Sequence, residues 1–288
     1  MSFLFCITTL HCNDRDTIFD VISSFCENTE TTTTLSWIIL AQGCSEPHLQ
    51  RLREVLGSYP SIRPEILVWE DNRGWSKGMN ALATASKKYE YVLHLEDDWI
   101  CLPGTITGVG KRWLSACLEF MDHHRDVSTL FLRKYHDAKE KWQFGWTRTI
   151  PYMCHSRPDH FHYAQKMRST VDGVETLQGI RFQEIPDFLY SANPCLRRDA
   201  DYWRVEIFPF PEFLDIRENV GKGKTWGLTH NNHEQNQHWG FAEAFAMEKH
   251  LSLKTYNVHE GVFGHYEDWV SSLPPPVHSS NSVIDSRS

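Results

Sequence analysis

The chain lacks three features that would place it in a class at once. It has no apolar run of the roughly 18 residues that a transmembrane helix needs, so we expect no integral membrane segment. It has no block of Lys and Arg, and its formal net charge is -8 with neutral histidines, which disfavours nucleic acid as a partner. None of its eight cysteines has the C-x-x-C spacing of a zinc ribbon or a thioredoxin-type site.

What the chain does contain indicates a globular protein. Of its 288 residues, 41% are hydrophobic and 13% are aromatic, which is enough for a sizeable core. The apolar stretch at residues 3–10 has no basic region before it, so we expect no signal peptide. A chain of this length needs no disulfide framework, and we therefore predict reduced thiols and a cytoplasmic location.

Short apolar runs alternate with helical periodicity in the first hundred residues. Strands are predicted at residues 3–10, 35–41 and 66–69, and a fourth begins at Tyr91. The helix after the first strand is predicted from apolar residues at i, i+3, i+4 and i+7, namely Ile18, Val21, Ile22 and Phe25. This alternation predicts parallel βα units, with helices over the sheet and all strand carboxyl ends on one edge.

The second half of the chain is less regular. Its predicted elements are a helix within residues 104–122, a strand at 127–132, a strand within 185–197, a helix at about 234–250 and a strand at 252–258. Between residues 133 and 187 no clear period is present. The proline- and serine-rich residues 273–288 are predicted to be a flexible tail.

Three consecutive carboxylates, Glu96, Asp97 and Asp98, follow the apolar run that begins at Tyr91. Adjacent like charges raise one another's pKa, and a divalent cation relieves that repulsion. Oxygen ligands suit Mg²⁺, Mn²⁺ or Ca²⁺, and the carboxyl end of a strand is where open α/β sheets bind ligands. The pattern predicts a metal-assisted site, and the competing interpretation is a solvated acidic turn.

The segment upstream favours the metal site. Residues 72–81, NRGWSKGMNA, resemble the N-x-G-x-x-x-x-x-N stretch of family 2-like GT-A glycosyltransferases, and Glu96-Asp97-Asp98 resembles the D-x-D motif that follows it in those enzymes. The resemblance covers about residues 3–104. It implies an α/β protein with the GT-A fold, in which a Rossmann-like, mostly parallel central sheet is flanked by helices. The chain is also similar to soluble enzymes encoded by large algal viruses, for which the location would be the host cytoplasm.

The resemblance further implies a function and a division of the chain. Residues 1–104 would form the nucleotide-sugar donor half, and residues 105–272 the acceptor half of the same domain. The donor would be a UDP- or GDP-linked sugar, the acceptor a glycan or glycoprotein, and the cofactor Mn²⁺ or Mg²⁺. Such a metal would attract the diphosphate, which a negatively charged protein cannot bind unaided, and would stabilise the departing nucleotide.

The resemblance assigns roles to individual residues near the carboxylates. Asp98 is expected to bind the metal directly, and Glu96 is expected to contact the ribose or a metal-bound water. Asp97 suits either position. His265 resembles the late histidine that binds the metal or faces the diphosphate in many GT-A enzymes.

The remaining donor-site candidates lie in three loops. Thr8 and Leu10 stand where the family contacts the nucleotide, although the match there is loose. Gln42 stands where the family has an acidic residue that binds uracil, and it offers a donor and an acceptor to a base. In the motif at residues 72–81, Asn72 is a donor-site candidate, and Gly74 and Gly78 would let the backbone approach a ligand. Lys77, at a helix start, is either a phosphate or sugar contact or a solvated surface lysine.

An inverting enzyme needs a carboxylate to take the proton of the acceptor hydroxyl. The candidates are Glu234 and Glu243, which helical geometry places on opposite faces. Glu234 is slightly favoured because it shares a face with Phe241 and Phe245. A retaining enzyme would need neither, and the sequence leaves the stereochemistry open.

Three other functions remain open at this stage. A nucleotidyltransferase also uses carboxylates and a metal, but residues 10–15 lack its Gly-rich basic loop. A binding protein that has lost catalysis would bind nucleotide with metal and transfer nothing. A structural α/β domain without a ligand would not respond to metal at all.

Overall fold

The computed structural model describes residues 4–134, 174–185, 194–204, 253–258 and 260–266 of the chain. Its first elements, in chain order, are β1 (Phe5–Cys12), α1 (Thr17–Asn28), β2 (Leu35–Gln42), α2 (Glu46–Gly57), β3 (Ile62–Trp69), α3 (Trp75–Ser86), β4 (Tyr91–His94) and β5 (Trp99–Cys101). They are followed by α4 (Gly104–Thr107), α5 (Trp113–His123), β6 (Val127–Phe131), β7 (Val174–Leu177), β8 (Ile180–Ile185), β9 (Cys195–Arg198), α6 (Asp199–Arg204), β10 (Lys254–Val258) and β11 (Phe263–His265).

The described strands form one nine-stranded sheet, in the order β3-β2-β1-β4-β9-β6-β10-β8-β7, and a small sheet of β11 and β5. β3, β2, β1 and β4 are parallel neighbours, as the alternation of strands and helices predicts. β9 runs antiparallel between β4 and β6, and β8 runs antiparallel to β10 and β7. The α/β class with a mostly parallel central sheet is confirmed.

Helices cover both faces of the sheet through apolar side chains. Ile18, Val21, Ile22 and Phe25 of α1 are buried, as their spacing predicts. On the opposite face, α3 approaches β1 and β2 closely at Gly78, where a Cβ atom would lie 2.5 Å from Leu10 Cδ1. Gly78 therefore serves helix–sheet packing, although the sequence motif suggested that it brings backbone close to a ligand.

Three elements differ from the prediction, each for a local reason. β3 begins at Ile62, four residues earlier than predicted, and includes Pro64, which an edge strand tolerates because one side of it needs no N–H donor. The predicted helix at 104–122 is divided into α4 and α5 by Gly108, which has a φ of 74°. The β7–β8 hairpin was missed; it turns on Gln178 and Gly179, both with positive φ.

Some predictions fall where the structure gives no test. The helix at about 234–250 and the tail at 273–288 lie outside the described residues. The boundaries at residues 104 and 272 stay predictions. Within the described part of the chain, no helix combines the length and the apolar character that a membrane span requires.

Candidate functional site

Four loops meet at the carboxyl edge of the parallel strands. The backbone N–H of Asn13, after β1, donates to Gln42 O at 2.8 Å, and that of Gly43, after β2, donates to Trp69 O at 3.0 Å. Leu95 N, after β4, donates to Thr8 O at 3.0 Å. These hydrogen bonds hold the loops in register at one edge of the sheet, and we call the region between them the cleft, since open α/β sheets bind ligands there.

Asp97 forms the buried floor of this cleft. Its Oδ2 lies 2.8 Å from His11 Nδ1, and its Oδ1 accepts a hydrogen bond from Arg15 Nη1 at 3.0 Å. Both carboxylate oxygens are therefore engaged with protein donors. This arrangement compensates the cost of burying a carboxylate that is only 4% exposed.

Asp98 is less completely satisfied than its neighbour. Its Oδ2 lies 3.4 Å from Arg15 Nη2 and 3.5 Å from His265 Nε2, both long for charge-assisted hydrogen bonds. Its Oδ1 is buried, and the described residues offer it no hydrogen-bond partner. Burial would raise the pKa of Asp98, but the hydrogen bonds and positive charges of His265 and Arg15 lower it below its usual value.

The small sheet places His265 beside Asp98. β11 pairs antiparallel with β5, which sets His265 opposite Trp99. Tyr266 N then donates to Asp98 O at 2.7 Å, so the backbone of this segment is fixed to the carboxylate loop. The ring of Trp99 meets the imidazole edge-on, with centroids 5.4 Å apart. His265 and Asp98, 167 positions apart by their numbers, thus form one cluster.

Glu96 lies half-buried on the same loop. Burial and the negative charge of Asp98 raise its pKa, while the positive charge of Arg133 opposes that shift. The guanidinium of Arg133 lies over the Trp99 ring at 4.8 Å. Because two neighbouring carboxyl groups repel, the ionised form of Asp98 favours a proton on Glu96.

Asp98 and His265 are the side chains of this region that could hold a metal. No group of three or more potential ligands converges within the described ranges, so Asp98 and His265 form an incomplete set. A divalent ion such as Mg²⁺ is often held by one or two protein ligands together with substrate phosphates and water. Asp98 offers two oxygens to such an ion, because its Oδ2 faces His265 Nε2 at 3.5 Å and its Oδ1 is unsatisfied. The residues therefore fit a metal that is shared with a diphosphate.

The imidazole of His11, which contacts Asp97, also contacts the imidazole of His48. His11 Nε2 is 2.9 Å from His48 Nε2, and His48 Nδ1 is 3.9 Å from Asp16 Oδ1. If His11 donates Nδ1–H to Asp97, its Nε2 is left to accept a hydrogen bond from Nε2–H of His48. Burial and the neighbouring His11 lower the pKa of His48, which favours its neutral form.

The other predicted donor-site residues lie in the sheet edge and the loop before α3. Thr8 is fully buried, with its hydroxyl 3.2 Å from His94 Nδ1, and Leu10 packs under α3. Gln42 is also fully buried, and its Oε1 accepts a hydrogen bond from Arg73 N at 3.0 Å. This contact ties the end of β2 to the loop at residues 72–74. Whether these residues contact a nucleotide stays a prediction.

The loop before α3 is shaped by its own polar groups. Asn72 Oδ1 accepts a hydrogen bond from Gly74 N at 2.9 Å, and Gly74 has a φ of 88° at the start of the helix. Lys77 lies half-buried in the first turn of α3. Asn72 and Gly74 thus lie in the loop before α3, and Lys77 lies at the start of that helix, as the sequence motif suggests. That they contact a ligand stays a prediction.

The predicted acceptor residues lie outside the described part of the chain. These are the candidate bases Glu234 and Glu243. Their roles stay predictions.

Three residues around the carboxylates, His11, Arg15 and Arg133, were not predicted as site residues. The signal for the first two was their position, with His11 near the end of β1 and Arg15 in the loop after it, on the edge where the parallel strands end. Arg133 follows β6, and its place near the carboxylates depends on the observed order of the strands in the sheet, which the sequence pattern does not give.

The parallel core, the antiparallel β9 and the carboxylates after β4 define the class of structure: the chain has the fold of the GT-A glycosyltransferases. Among solved structures, residues 1–349 of TarS from S. aureus in complex with UDP match 90% of this chain and 59% of their own, with 13% identity and a TM-score of 0.51. GalNAc-T7 with UDP, GalNAc and Mn²⁺ matches 91% of this chain and 44% of its own, with 9% identity and a TM-score of 0.54.

These likenesses establish the fold alone, because the identities are low. The chain spans 36% of a longer TarS structure and less than two-thirds of each structure named above. No protein-family model and no curated protein sequence matches the chain.

Proposed function

We propose that this protein is a metal-dependent glycosyltransferase, which moves a sugar from a nucleotide-diphosphate sugar to an acceptor hydroxyl. The observation that carries the proposal is the cluster of Asp98 and His265 at the end of β4, in a GT-A fold. A fold by itself hosts many functions, so the proposal depends on this cluster and its chemistry.

The electrostatics of the cleft support a need for a cation. The chain carries a formal net charge of -8, and three carboxylates, Glu96, Asp97 and Asp98, follow β4 at the edge where the donor would bind. A diphosphate would be repelled from this edge without a positive partner. A divalent ion would neutralise the diphosphate and stabilise the nucleotide as it leaves.

The residues of the chain would divide the work at the donor. Asp98 and His265 would hold the metal, and Asp97 would keep the floor of the cleft rigid through His11. Glu96, with its raised pKa, would donate a hydrogen bond to the ribose or to a metal-bound water when it carries a proton. Lys77 and the N–H groups at the start of α3 would face the phosphates or the sugar.

The nucleotide and the acceptor belong to the proposal as well. UDP is the first candidate, since TarS and GalNAc-T7 structures with this fold were solved with it, and GDP is the second. The acceptor would be a glycan or a glycoprotein. Glu234 is our first choice for the base of an inverting reaction and Glu243 the second, and a retaining reaction would use neither.

The test is a calorimetric titration of UDP and of GDP, each with Mn²⁺ and with EDTA. Binding that requires Mn²⁺ would support the proposal and would select the nucleotide. Absence of binding in every condition would refute it and would make the carboxylate triplet an acidic turn. Release of free sugar from the matching donor would then distinguish a transferase from a binding protein without catalysis.

A further inference from the structure

Arg15 bridges the two carboxylates at the centre of the cleft. Its Nη1 lies 3.0 Å from Asp97 Oδ1, and its Nη2 lies 3.4 Å from Asp98 Oδ2. The side chain of Arg15 is 49% exposed, whereas those of Asp97 and Asp98 are 6% and 21% exposed. One guanidinium therefore covers the buried carboxylates from the open side of the cleft.

The two contacts of this guanidinium differ in quality. The bond to Asp97 has the length of an ordinary hydrogen bond, while the approach to Asp98 is longer than charge-assisted pairs usually are. Asp97 also has His11 as a second partner, so it remains paired if the guanidinium moves. The contact of Arg15 with Asp98 is therefore weaker than its contact with Asp97 and easier to break.

The backbone on both sides of Arg15 is held in place. Asn13 N donates to Gln42 O at 2.8 Å, and Ser45 N donates to the Asp14 carboxylate at 2.8 Å. On the other side, the backbone O of Asp16 accepts a hydrogen bond from Phe19 N at 3.1 Å. Any change in the position of the charge must therefore come from rotation of the Arg15 side chain.

A divalent cation on Asp98 would compete with this guanidinium. An ion held by Asp98 together with His265 would lie at Asp98 Oδ2, which His265 Nε2 approaches at 3.5 Å and Arg15 Nη2 at 3.4 Å. Two positive groups at one oxygen repel each other. A diphosphate on that cation would bring anionic oxygens to the mouth of the cleft, which Arg15 covers. The planar guanidinium matches phosphate oxygens with two parallel hydrogen bonds, which a lysine cannot reproduce.

We propose that Arg15 is a diphosphate-binding residue that occupies Asp98 in the ligand-free protein and leaves it when a divalent cation binds there. This proposal rests on the proposed function, because it takes the nucleotide diphosphate as the ligand. The diphosphate would then be bound by two positive groups, the divalent cation and the guanidinium of Arg15. The cation and Arg15 would compete for Asp98 Oδ2, but both would bind the diphosphate.

The test compares Arg15→Gln and Arg15→Lys with a matched control, Arg53→Gln. Arg53 is a partly exposed arginine that pairs with Glu46 on the surface of α2, and it does not contact the cleft carboxylates. Mn²⁺ binding without nucleotide is measured by electron paramagnetic resonance of the free ion. UDP and GDP binding at saturating Mn²⁺ is measured by calorimetry.

The two measurements should change in opposite directions. Arg15→Gln should bind Mn²⁺ about two- to fivefold more tightly, which is the scale of a half-exposed ion pair. It should bind the preferred nucleotide about 10- to 100-fold more weakly, which is the scale of hydrogen bonds to a charged group. Arg15→Lys keeps the charge and should lie between Arg15→Gln and the wild-type protein. Arg53→Gln should match the wild-type protein in both assays.

Each failure has its own signature. If the wild-type protein binds UDP or GDP with Mn²⁺ and Arg15→Gln binds it equally well, the diphosphate role of Arg15 is refuted while the proposed function stands. Unchanged or weaker Mn²⁺ binding by Arg15→Gln refutes the competition. If the wild-type protein binds neither nucleotide, the proposed function fails and the diphosphate role fails with it. Thermal unfolding of each variant checks that it is folded before binding is measured.

Discussion

His11 and Asp97 form a buried hydrogen bond of 2.8 Å between Nδ1 and Oδ2, although 86 residues separate them in sequence. It joins the end of β1 to the loop after β4. The bond orients the Asp97 carboxylate, which in turn holds Arg15 at 3.0 Å. The floor of the candidate site is therefore fixed by a residue that does not belong to the carboxylate motif.

We predict that His11→Leu destabilises the protein by about 1–3 kcal/mol, because Asp97 Oδ2 would lose its partner in a buried position. His11→Gln can still donate a hydrogen bond and should lose less. Urea denaturation at pH 7 measures both free energies of unfolding. His123→Leu, at an exposed position, is the control. A His11→Leu variant as stable as the wild-type protein would show that this hydrogen bond contributes nothing.

Much of the fold of residues 4–104 was predictable because its signals are local. The periodicity that predicts α1 and the apolar runs of β1, β2 and β4 depend on neighbours in sequence, and parallel pairing follows from their alternation. The Glu96–Asp98 loop was predictable for the same reason, since three carboxylates directly follow a buried strand.

The contacts across the cleft were not predictable in the same way. His11 and Arg15 look like ordinary loop residues until β1 and β4 are paired in their observed register. The separation of Asp97, with two protein partners, from Asp98, with an unsatisfied oxygen, depends on distances that no spacing in the sequence encodes. The three carboxylates were therefore foreseeable as a group, and their protein partners and individual environments were not.

We predict that Asp98→Asn abolishes Mn²⁺-dependent nucleotide binding while the fold remains intact. The amide removes the charge that attracts the metal, and the change in volume is small. Calorimetry with the nucleotide that the wild-type protein binds measures the loss, and far-UV circular dichroism checks the fold. Asp126→Asn, a surface carboxylate paired with Lys254, is the control and should bind normally. Retained binding by Asp98→Asn would mean that the metal is held elsewhere.

The prediction for the acceptor base comes from the sequence. Glu234→Gln should leave donor binding unchanged and remove sugar transfer, because the amide cannot take the proton of an acceptor hydroxyl. Glu243→Gln is the matched comparison. Transfer assays and nucleotide titrations on both variants separate catalysis from binding. Full activity of Glu234→Gln would move the base to Glu243 or favour a retaining reaction.

We predict that Gly261→Ala destabilises the protein by about 1–3 kcal/mol, since φ at Gly261 is +67° and an added Cβ would lie 2.4 Å from the Cα of Lys134. Gly57→Ala is the control, because nothing lies within 4 Å of its Cβ position. The control should be neutral or slightly stabilising. Thermal and urea unfolding measure both. Equal stability of the two variants would show that the turn before β11 adapts without cost.

His94 is fully buried on β4, and we predict that it makes the stability of the protein sensitive to acid. Thr8 Oγ1 lies 3.2 Å from its Nδ1, and within the described part of the chain its Nε2 has no hydrogen-bond partner. Burial, reinforced by the positive charge of Arg197, lowers the pKa of His94 to about 3. The imidazole is therefore neutral in the folded protein throughout the range in which an unfolded chain would protonate it.

The sign of the pH effect follows from this difference. Above the unfolded-state pKa, near 6.5, neither state binds the proton and His94 imposes no penalty. As pH falls below that value, the unfolded chain takes up a proton that the folded protein excludes, and stability falls by about 1.4 kcal/mol per pH unit until the folded pKa is reached.

His94→Leu removes the titrating group from both states. Between pH 7 and pH 4.5 the wild-type protein should therefore lose about 2–3 kcal/mol more stability than His94→Leu does. Urea denaturation at both pH values gives the difference, in which the shared contributions of other groups cancel. His123→Leu, at the surface, should follow the wild-type profile. If His94→Leu also follows it, the imidazole of His94 accepts a proton in the folded protein, and another group causes the acid sensitivity.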